Sequence, residues 1–344
     1  MGKRCAIINY WWAWADAHGA SLTALALYHL LVELGYDPCL ITTVDKSTSV
    51  EKCKAGRHYK FITKYAAYTE KNYQTREDYE ELNGQYDHFI LGSDQVLRVE
   101  WVPDEWFLYP IKNVGGINKI VMSGSFGGKE LASSKDRIKR VAGYLKDFSA
   151  VSVREKDGIE VYQRYFGERS DIEWIMDPVF LIDPQFYYEL MRNHTNNADV
   201  FEQGKEVILL YVLDKTPEMD EVKRKLSDRY DVIIVEDNEN LVAEDFLYIV
   251  SNCKMVITDS FHGTCFSIIL NTPFYSVYNK LRGTSRIDTL RDVFHLEHVI
   301  LEWEQMKACD FKVPLIDYGQ INLIMEKERE RGSNWLKNKL EDHL

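Results

Sequence analysis

Short hydrophobic runs alternate with longer amphipathic stretches through the first half of the chain. The runs have the length of buried strands, whereas the longer stretches repeat apolar residues at helical spacing, as from Leu22 to Leu34 before Gly35. This alternation predicts a parallel sheet with helices on both faces. The predicted strands span residues 4–9, 38–43, 87–91, 119–122, 150–153 and 173–176, and the polar, tyrosine-rich residues 58–81 are predicted to be partly helical.

A second alternating series follows a polar, irregular stretch that begins at Asp183. Its predicted strands span residues 206–213, 231–235, 254–258, 274–277 and 298–301. Together the two series predict an α/β fold of two Rossmann-like, doubly wound parallel-sheet domains facing a cleft, a GT-B-like glycosyltransferase architecture. We assign residues 1–180 to an N-terminal domain, 181–204 to a linker, 205–319 to a C-terminal domain, and 320–344 to a charged helix that is a candidate to pack back on the N-terminal domain.

The clearest candidate site lies in the second series, where a predicted strand, Met255–Thr258, runs into a polar elbow and then a helix over residues 264–270. Ligands of open α/β sheets bind at such carboxyl ends of strands. We predict that Gly263 and Thr264 open the helix, so that their backbone N–H groups and the helix dipole attract an anion. His262 would stand beside that anion and can exchange a proton near neutral pH. A capping or packing role for His262 is the structural alternative.

Arg154 is a second candidate because it directly follows a predicted buried strand. A buried guanidinium needs an anionic partner. The partner is either a neighbouring carboxylate, from Glu155, Asp157 or Asp177, or the carboxylate or phosphate of a ligand held by two parallel hydrogen bonds.

Two further groups of polar residues have both a functional and a structural interpretation. Asp94 follows another predicted strand and can orient a hydroxyl group or accept its proton, but Ser93 and Asp94 can equally cap the next segment. Lys280, Arg282 and Arg286 follow a strand of the second series. These three cations suit a phosphate, or they are simply solvated.

Composition and missing motifs exclude several classes of function. The 344 residues carry a net charge of -12 without a run of Lys and Arg, which disfavours nucleic-acid binding. The loop 123–129 matches neither a P-loop nor a dinucleotide fingerprint, and no Asp-x-Asp pair suggests a metal-bound nucleotide sugar. The six cysteines form no C-x-x-C pair, which fits a reducing cytoplasm, and no apolar run approaches the ~18 residues of a membrane span. We therefore predict no metal, no cofactor and no transmembrane segment.

Several short motifs follow one another between about Asn9 and Arg286. They comprise Asn9 with Gly19-Ala-Ser-Leu-Thr-Ala-Leu-Ala-Leu27, Leu91-Gly-Ser-Asp-Gln-Val96, Ser123-Gly-Ser-Phe-Gly127, Ser152-Val-Arg-Glu155, Asp177-Pro-Val-Phe-Leu181 and Thr258-Asp-Ser-Phe-His-Gly-Thr264. In this order they resemble the polysaccharide pyruvyl transferase family. The resemblance implies a cytoplasmic enzyme whose donor substrate is phosphoenolpyruvate. Such an enzyme forms a pyruvate ketal on two hydroxyls of a sugar. The resemblance implies that this sugar usually belongs to a lipid-linked precursor of a surface polysaccharide. It therefore implies a role in exopolysaccharide or capsule biosynthesis for the cell envelope.

The resemblance also implies roles for particular residues. The family's catalytic histidine corresponds to His262, in the donor-side C-terminal domain. Its phosphoenolpyruvate-binding arginine corresponds to Arg154, in the acceptor-side N-terminal domain. Where relatives carry a further arginine this chain has Ser260, so Lys280, Arg282 or Arg286 would supply the missing contact. A lipid-linked acceptor requires a transient contact with the inner face of the membrane, for which the aromatic residues Trp101 and Trp106 are candidates.

Two other functions stay open at this point. One is a GT-B glycosyltransferase that uses a nucleotide sugar, and the other is a non-catalytic carbohydrate-binding relative. Under the pyruvyl transferase hypothesis the catalytic residues are His262, as general acid, and Asp94, as acceptor of the sugar hydroxyl proton. The predicted substrate-binding residues are Arg154, Ser260, Phe261, Gly263, Thr264, Ser93, Ser125, Asn9, Gly19, Lys280, Arg282 and Arg286.

Overall fold

The computed structural model of the chain describes residues 3–12, 18–44, 48–112, 117–195, 200–201, 206–214, 216–234 and 240–342. The chain forms two compact units. Unit 1 contains residues 1–182 and 328–344, and unit 2 contains residues 183–327.

Unit 1 is built on a seven-stranded parallel sheet whose strand order is β3-β2-β1-β4-β5-β6-β7. The central strands are buried on both faces, as expected when helices cover a parallel sheet. The strands are β1 Arg4–Ile8, β2 Asp37–Thr42, β3 Tyr68–Asn72, β4 His88–Leu91, β5 Asn118–Gly124, β6 Ala150–Val153 and β7 Glu173–Trp174; the helices are α1 His18–Glu33, α2 Val50–Ala55, α3 Arg57–Tyr65, α4 Arg76–Glu80, α5 Lys135–Leu145 and α6 Gly158–Phe166, with 3₁₀ turns at Asp104–Phe107 and Pro178–Phe180.

Unit 2 is built on a five-stranded parallel sheet of order β12-β11-β10-β8-β9. Its central strand β10 is fully buried. Val256 and Ile257 of β10 pair with residues of both β8 and β11, so β10 lies between these two strands. The strands are β8 Val207–Tyr211, β9 Asp231–Ile234, β10 Met255–Thr258, β11 Phe274–Val277 and β12 Ile300–Leu301; the helices are α7 Gln185–Met191, α8 Pro217–Ser227, α9 Ala243–Asn252, α10 Phe261–Ile269, α11 Ser285–Phe294, α12 Trp303–Ala308 and α13 Tyr318–Glu341, whose second half belongs to unit 1.

The C-terminal helix α13 packs on unit 1 through its second half. The side-chain amide of Asn118 donates a hydrogen bond to the carbonyl of Lys339 at 2.8 Å, and Arg331 donates one to the carbonyl of Trp174 at 2.7 Å. Gly332 lies so close to Leu181 that an added Cβ would stand 2.5 Å from it. Residues 328–344 therefore belong to unit 1.

The edge strand β3 was not predicted from the sequence pattern, which indicated partly helical structure for residues 58–81. All five of its residues, Tyr68–Asn72, are exposed or half-buried, so the strand lacks the hydrophobic alternation that identifies central strands. Charged and polar residues are usual on an edge strand, where they discourage pairing with other chains. The prediction was wrong here because an edge position removes the signal on which it depends.

The predicted linker, residues 181–204, is not a simple connection in the structure. Its first part forms helix α7, whose side chains Tyr187, Leu190 and Met191 are buried. Tyr187 packs edge-on against Phe266 of α10, with ring centroids 5.1 Å apart. Residues 185–191 therefore belong to the core of unit 2, whereas residues 196–199 and 202–204 of the predicted linker lie outside the described residues.

The two tryptophans proposed for a membrane contact differ in their exposure. Trp101 is 53% exposed and its ring lies 3.5 Å from the guanidinium carbon of Arg98, whereas Trp106 is only 2% exposed. Trp106 is a core residue, so the prediction of a membrane contact through it was wrong. In the part of the chain that is described, no helix combines the length and apolar character that crossing a bilayer requires.

A buried pair of histidines makes the stability of unit 1 depend on pH. The rings of His18 and His58 are 5.1 Å apart, and the pKa of His58 is lowered to about 3 by burial and by the charge of Arg57. Burial also lowers the pKa of His18. Because unfolding lets these imidazoles bind protons that the folded state rejects, their contribution to stability is complete above the unfolded pKa of about 6.5 and is lost as the pH falls below it.

We therefore expect His58 alone to reduce the free energy of unfolding by about 2 kcal/mol between about pH 7.5 and about pH 5. Urea unfolding of the wild type and His58→Gln at both pH values measures this effect. The difference between the two pH values should be about 2 kcal/mol smaller in the variant. An equal loss in both proteins would contradict the prediction.

Candidate active site

The turn after the buried strand β10 differs from the elbow that the sequence predicts. Helix α10 begins at Phe261, not at Thr264, and Ser260 is its N-cap. The Ser260 hydroxyl accepts a hydrogen bond from the backbone N–H of Gly263 at 3.3 Å, and the Ser260 carbonyl accepts one from the N–H of Thr264 at 3.0 Å. These two N–H groups are therefore engaged, and the prediction that they form the anion site was wrong. The N-terminal end of α10 is formed instead by Phe261 and His262.

Gly263 and Thr264 serve packing in this turn. A Cβ added at Gly263 would stand 2.3 Å from the Thr258 hydroxyl and 2.9 Å from the Tyr211 ring, so only glycine lets α10 lie this close to β8 and β10. The Thr264 hydroxyl bonds to the carbonyl of Ser260 at 3.0 Å and to the hydroxyl of Ser276 at 2.8 Å. This tight packing holds the first turn of α10, and hence His262, in one position.

His262 lies in that first turn with 8% of its surface exposed, and Phe261 packs edge-on against it with ring centroids 5.0 Å apart. An imidazole that is nearly buried yet close to the positive end of a helix can act on a bound anion without full solvation. The position therefore suits a proton donor to a substrate held at the N-terminus of α10.

A polar network stands beside this turn. The Asp259 carboxylate accepts hydrogen bonds from the N–H of Leu213 at 2.7 Å and from the side-chain amide of Asn279 at 2.7 Å, and that amide also reaches Asp214 at 2.6 Å. Burial raises the pKa of Asp259, an effect that its two hydrogen bonds oppose. Arg282 bonds to both carboxylate oxygens of Asp214, at 2.5 and 3.0 Å, and these bonds lower the pKa of Asp214.

Two of the three cations in the predicted basic cluster are paired with carboxylates. Arg282 is held by Asp214, Arg286 donates to the carbonyl of Arg282 at 2.7 Å, and the exposed Lys280 pairs with Glu302 at 3.2 Å. These contacts explain the cluster as part of the surface structure of unit 2.

A cavity of about 220 Å³ lies next to this cluster. Among its described lining residues are Lys280 and four carboxylates, from Asp214, Glu218, Glu302 and Glu304. The excess of negative charge disfavours a phosphate in this cavity. The structure thus gives no support to a phosphate contact from Lys280.

In unit 1, Arg154 is the centre of a buried ionic cluster at the carboxyl end of β6. Its guanidinium donates to Asp177 at 2.8 Å, to Asp94 at 3.3 Å and to Glu155 at 3.4 Å. Burial would lower the pKa of Arg154, but the carboxylates of Glu155, Asp94 and Asp177 outweigh it and raise the pKa. Of the neighbouring carboxylates named from the sequence, Glu155 and Asp177 are partners, whereas Asp157 is 3.5 Å from Lys129.

Asp177 ties this cluster to helix α1 and to the end of strand β4. One of its carboxylate oxygens accepts hydrogen bonds from the Thr23 hydroxyl of α1 at 2.8 Å and from the N–H of Val179 at 3.2 Å. The other accepts from Arg154 and, at 2.9 Å, from Ser93. The ends of several strands are therefore fixed relative to one another by one carboxylate.

The backbone is strained where two strands reach this cluster. Asp94 has φ 73° and Ser123 has φ 49°, in the left-handed region that residues with a Cβ rarely adopt. The Asp94 carbonyl accepts hydrogen bonds from the N–H groups of Val96 at 2.7 Å and Ser125 at 2.9 Å, which hold the strained turn in place. Such strain collects at functional sites, where the surroundings over-determine the conformation.

The other predicted residues of unit 1 take mixed positions. The Ser125 hydroxyl donates to Glu155 at 2.5 Å, which brings Ser93, Asp94, Ser125 and Arg154 into one connected network. Asn9 is buried at the end of β1, where its side-chain oxygen accepts from the N–H of Trp11 at 3.2 Å, and Gly19 is buried within α1. The Asn9 side chain therefore stabilises the turn after β1, and Gly19 lies in the interior of unit 1.

Sequence reasoning missed several members of these networks as site residues. Thr23, Asp214, Asp259 and Asn279 gave no signal of their own, because a lone threonine or carboxylate has many uses. Asp177 could be identified from the sequence. It directly follows a predicted strand, and it is among the candidate partners of Arg154 that the sequence indicates.

Comparison with solved structures supports the fold class. The chain is similar to HepE from Anabaena in complex with UDP, with a TM-score of 0.57 and 8% identity over 99% of this chain and 100% of that chain. It is similar to UDP-N-acetylglucosamine 2-epimerase from Rickettsia bellii, with a TM-score of 0.54 and 9% identity over 98% of both chains. Sucrose-phosphate synthase from Thermosynechococcus elongatus gives a TM-score of 0.51 and 14% identity over 96% of this chain and 94% of that one. At these identities only the fold is shared, and the predicted class of two Rossmann-like parallel-sheet domains of GT-B-like type is confirmed.

The family follows from the sequence itself. A sequence model of the polysaccharide pyruvyl transferase family matches residues 18–280. The chain belongs to that family, so the predicted resemblance is confirmed, and the family's activity is transfer to polysaccharide. A search of curated proteins found no match.

Proposed function

We propose that the protein transfers the pyruvyl group of phosphoenolpyruvate to a sugar of a polysaccharide precursor and forms a pyruvate ketal. His262 is the general acid and Arg154 binds the donor. The observation that carries the proposal is the position of His262 in the first turn of α10, directly after a buried parallel strand, in a chain of this family. The acceptor in this proposal is a lipid-linked oligosaccharide, and the reaction takes place in the cytoplasm, at the inner face of the membrane.

The chemistry needs one proton donor and one proton acceptor. Protonation of the methylene carbon of phosphoenolpyruvate by His262 makes the adjacent carbon electrophilic, and a sugar hydroxyl adds to that carbon. Phosphate then leaves, the second hydroxyl adds to the same carbon, and its proton is released. One diol and one phosphoenolpyruvate therefore give one ketal and one inorganic phosphate. No oxidant or reductant takes part.

The ionic cluster suggests how Arg154 and Asp94 act together. Of the three carboxylates bonded to Arg154, the Asp94 side chain is 20% exposed, against 4% for Glu155 and 0% for Asp177. In our proposal the donor carboxylate replaces Asp94 at the guanidinium, because Asp94 is the partner that solvent reaches. The displaced Asp94 then accepts the proton of the attacking hydroxyl, so donor binding prepares the base.

A donor comparison tests this proposal. The purified full-length protein is incubated with a lipid-linked oligosaccharide extract and either phosphoenolpyruvate or a panel of nucleotide sugars. We expect release of inorganic phosphate and a new pyruvate ketal, detected by mass spectrometry, only with phosphoenolpyruvate. Glycosyl transfer from a nucleotide sugar, or no turnover with any donor, would contradict the proposal.

A further inference from the structure

The segment of unit 1 that follows β4 carries an exposed indole. Trp101 is 53% exposed, and it is the only aromatic residue among the large hydrophobic side chains that are exposed in the described part of the chain. The guanidinium carbon of Arg98 lies 3.5 Å from the centroid of the Trp101 ring. Arg98 therefore covers one face of the indole, and the opposite face is open to solvent. Single exposed apolar residues are common, so a ligand is indicated only by how this ring is held and where it lies.

The ring has a fixed orientation because Arg98 is itself held in place. The Arg98 Nε donates a hydrogen bond to Glu100 Oε1 at 2.9 Å, and one of its terminal nitrogens donates to Gln95 Oε1 at 2.9 Å. The backbone N–H of Arg98 donates to the carbonyl of Gln95 at 3.1 Å, and the N–H of Trp101 donates to the carbonyl of Arg98 at 2.8 Å. An aromatic face that is fixed before binding lowers the entropy cost of binding a ligand.

The glycine-containing loop after β5 lies directly against this segment. Gly127 has φ 75°, and a Cβ added there would collide with the Gln95 side-chain oxygen and stand 3.2 Å from Arg98 Cδ. Only glycine permits both this conformation and this close approach. The N–H of Leu97 also donates to the carbonyl of Ser125 at 3.1 Å. The loop therefore supports the two side chains that hold the indole.

The same loop belongs to the network of Arg154. The N–H of Gly127 donates to the Ser125 hydroxyl at 3.0 Å, and that hydroxyl donates to Glu155, a hydrogen-bond partner of Arg154. Within unit 1, an unbroken series of contacts thus leads from the proposed donor-binding arginine to Trp101. Both lie in segments that follow parallel strands of one sheet, at the edge where such sheets bind ligands.

The position of the indole favours a ring-shaped partner over a lipid surface. An aromatic residue that anchors a protein to a membrane projects from the surface or belongs to a larger apolar face. Trp101 lies on Arg98 instead, and Val99 and Val102 beside it are buried. In segment 92–107, all of which the structure describes, no other large hydrophobic side chain is exposed. A lone ring that offers one face suits a partner with one apolar face.

We infer that the open face of Trp101 stacks on a sugar ring of the acceptor oligosaccharide. One face of many sugar rings presents mainly carbon-bound hydrogens, so contact with an indole removes apolar surface from water on both sides. The family acts on polysaccharide, so sugar rings are the partner that this chain meets. The inference rests on the proposed function in taking the sugar to be part of the acceptor, but sugar binding can be measured when no donor is present.

Binding is tested with the oligosaccharides that mild acid releases from the lipid-linked extract, titrated into the full-length protein by saturation-transfer NMR. The variants are Trp101→Ala, which removes the aromatic face, and Trp101→Tyr, which retains a smaller one. The matched control is Val32→Ala. Val32 is also an exposed apolar residue of unit 1, at 47%, but it lies near the end of α1, towards the opposite edge of the sheet. Sedimentation with vesicles of phosphatidylethanolamine and phosphatidylglycerol tests membrane contact separately.

We expect the Kd for the released oligosaccharides to rise about tenfold in Trp101→Ala, less than about threefold in Trp101→Tyr, and not at all in Val32→Ala. Absence of oligosaccharide binding by the wild type would overturn the inference, as would an equal Kd in Trp101→Ala and wild type or a loss as large in Trp101→Tyr or Val32→Ala. An unchanged Kd together with weaker sedimentation of Trp101→Ala would assign the residue to a membrane contact instead.

Turnover assays with the same variants separate this inference from the proposed function. If Trp101→Ala binds the oligosaccharides less tightly but phosphoenolpyruvate supports no transfer in the wild type, the stacking assignment stands and the proposed function fails. If transfer occurs, we expect Trp101→Ala to raise the acceptor KM about tenfold and to leave kcat at saturating acceptor close to that of the wild type. An acceptor KM equal to that of the wild type would leave the proposed function standing and overturn the stacking assignment.

Discussion

Replacement of His262 by glutamine is expected to lower kcat for ketal formation from phosphoenolpyruvate by about 100-fold or more. Glutamine retains a polar side chain of similar length but cannot deliver a proton to carbon. The KM for phosphoenolpyruvate should change little, because the loss affects proton transfer in the transition state and not binding of the ground state. The measurement is the steady-state rate of phosphate release and of ketal formation, with His262→Ala as a second variant.

His298→Gln is the matched control for this prediction. His298 lies in the same unit, but it is exposed, and its ring bonds to the carbonyl of Leu315 at 3.0 Å. The control should retain wild-type turnover, and all three variants should unfold at urea concentrations close to that of the wild type. Turnover of His262→Gln within a factor of two or so of wild type would remove His262 from the mechanism.

Replacement of Arg154 by methionine is expected to lower the free energy of unfolding by about 3–5 kcal/mol. Methionine fills a similar volume but leaves the carboxylates of Asp94, Glu155 and Asp177 without the cation that neutralises them. Buried like charges repel one another strongly, and each carboxylate loses a charge-assisted hydrogen bond. Urea unfolding, followed by circular dichroism, measures the loss.

Two comparisons sharpen the prediction for Arg154. Arg76→Met removes an exposed arginine whose partner is Glu80 on the same helix, and its effect should stay within about 0.5 kcal/mol. Arg154→Lys keeps a positive charge but loses the planar guanidinium whose separate nitrogens reach the three carboxylates, so its stability should fall between those of Arg154→Met and wild type. A protein with methionine at this position that is as stable as wild type would show that the cluster does not depend on the guanidinium.

The sequence predicted much of the candidate site but not its internal connections. His262 was identified by its place after a buried strand, and Arg154 by the need of a buried guanidinium for a partner. The exact start of α10 could not be predicted from the sequence, because Ser260, Phe261 and His262 are compatible with either a loop or a helix. Ser260 decides between these by capping the helix, which consumes the N–H groups of Gly263 and Thr264.

The alternation of hydrophobic runs and amphipathic stretches determined the fold class, because strands of parallel sheets and the helices that cover them each bury a recognisable pattern. The order of the short motifs along the chain determined the family. Tertiary structure alone decided the partners of Arg154 and the position of the edge strand Tyr68–Asn72. These features depend on residues far apart in the chain, as when Thr23 donates a hydrogen bond to Asp177, 154 positions away, and no local pattern encodes such a contact.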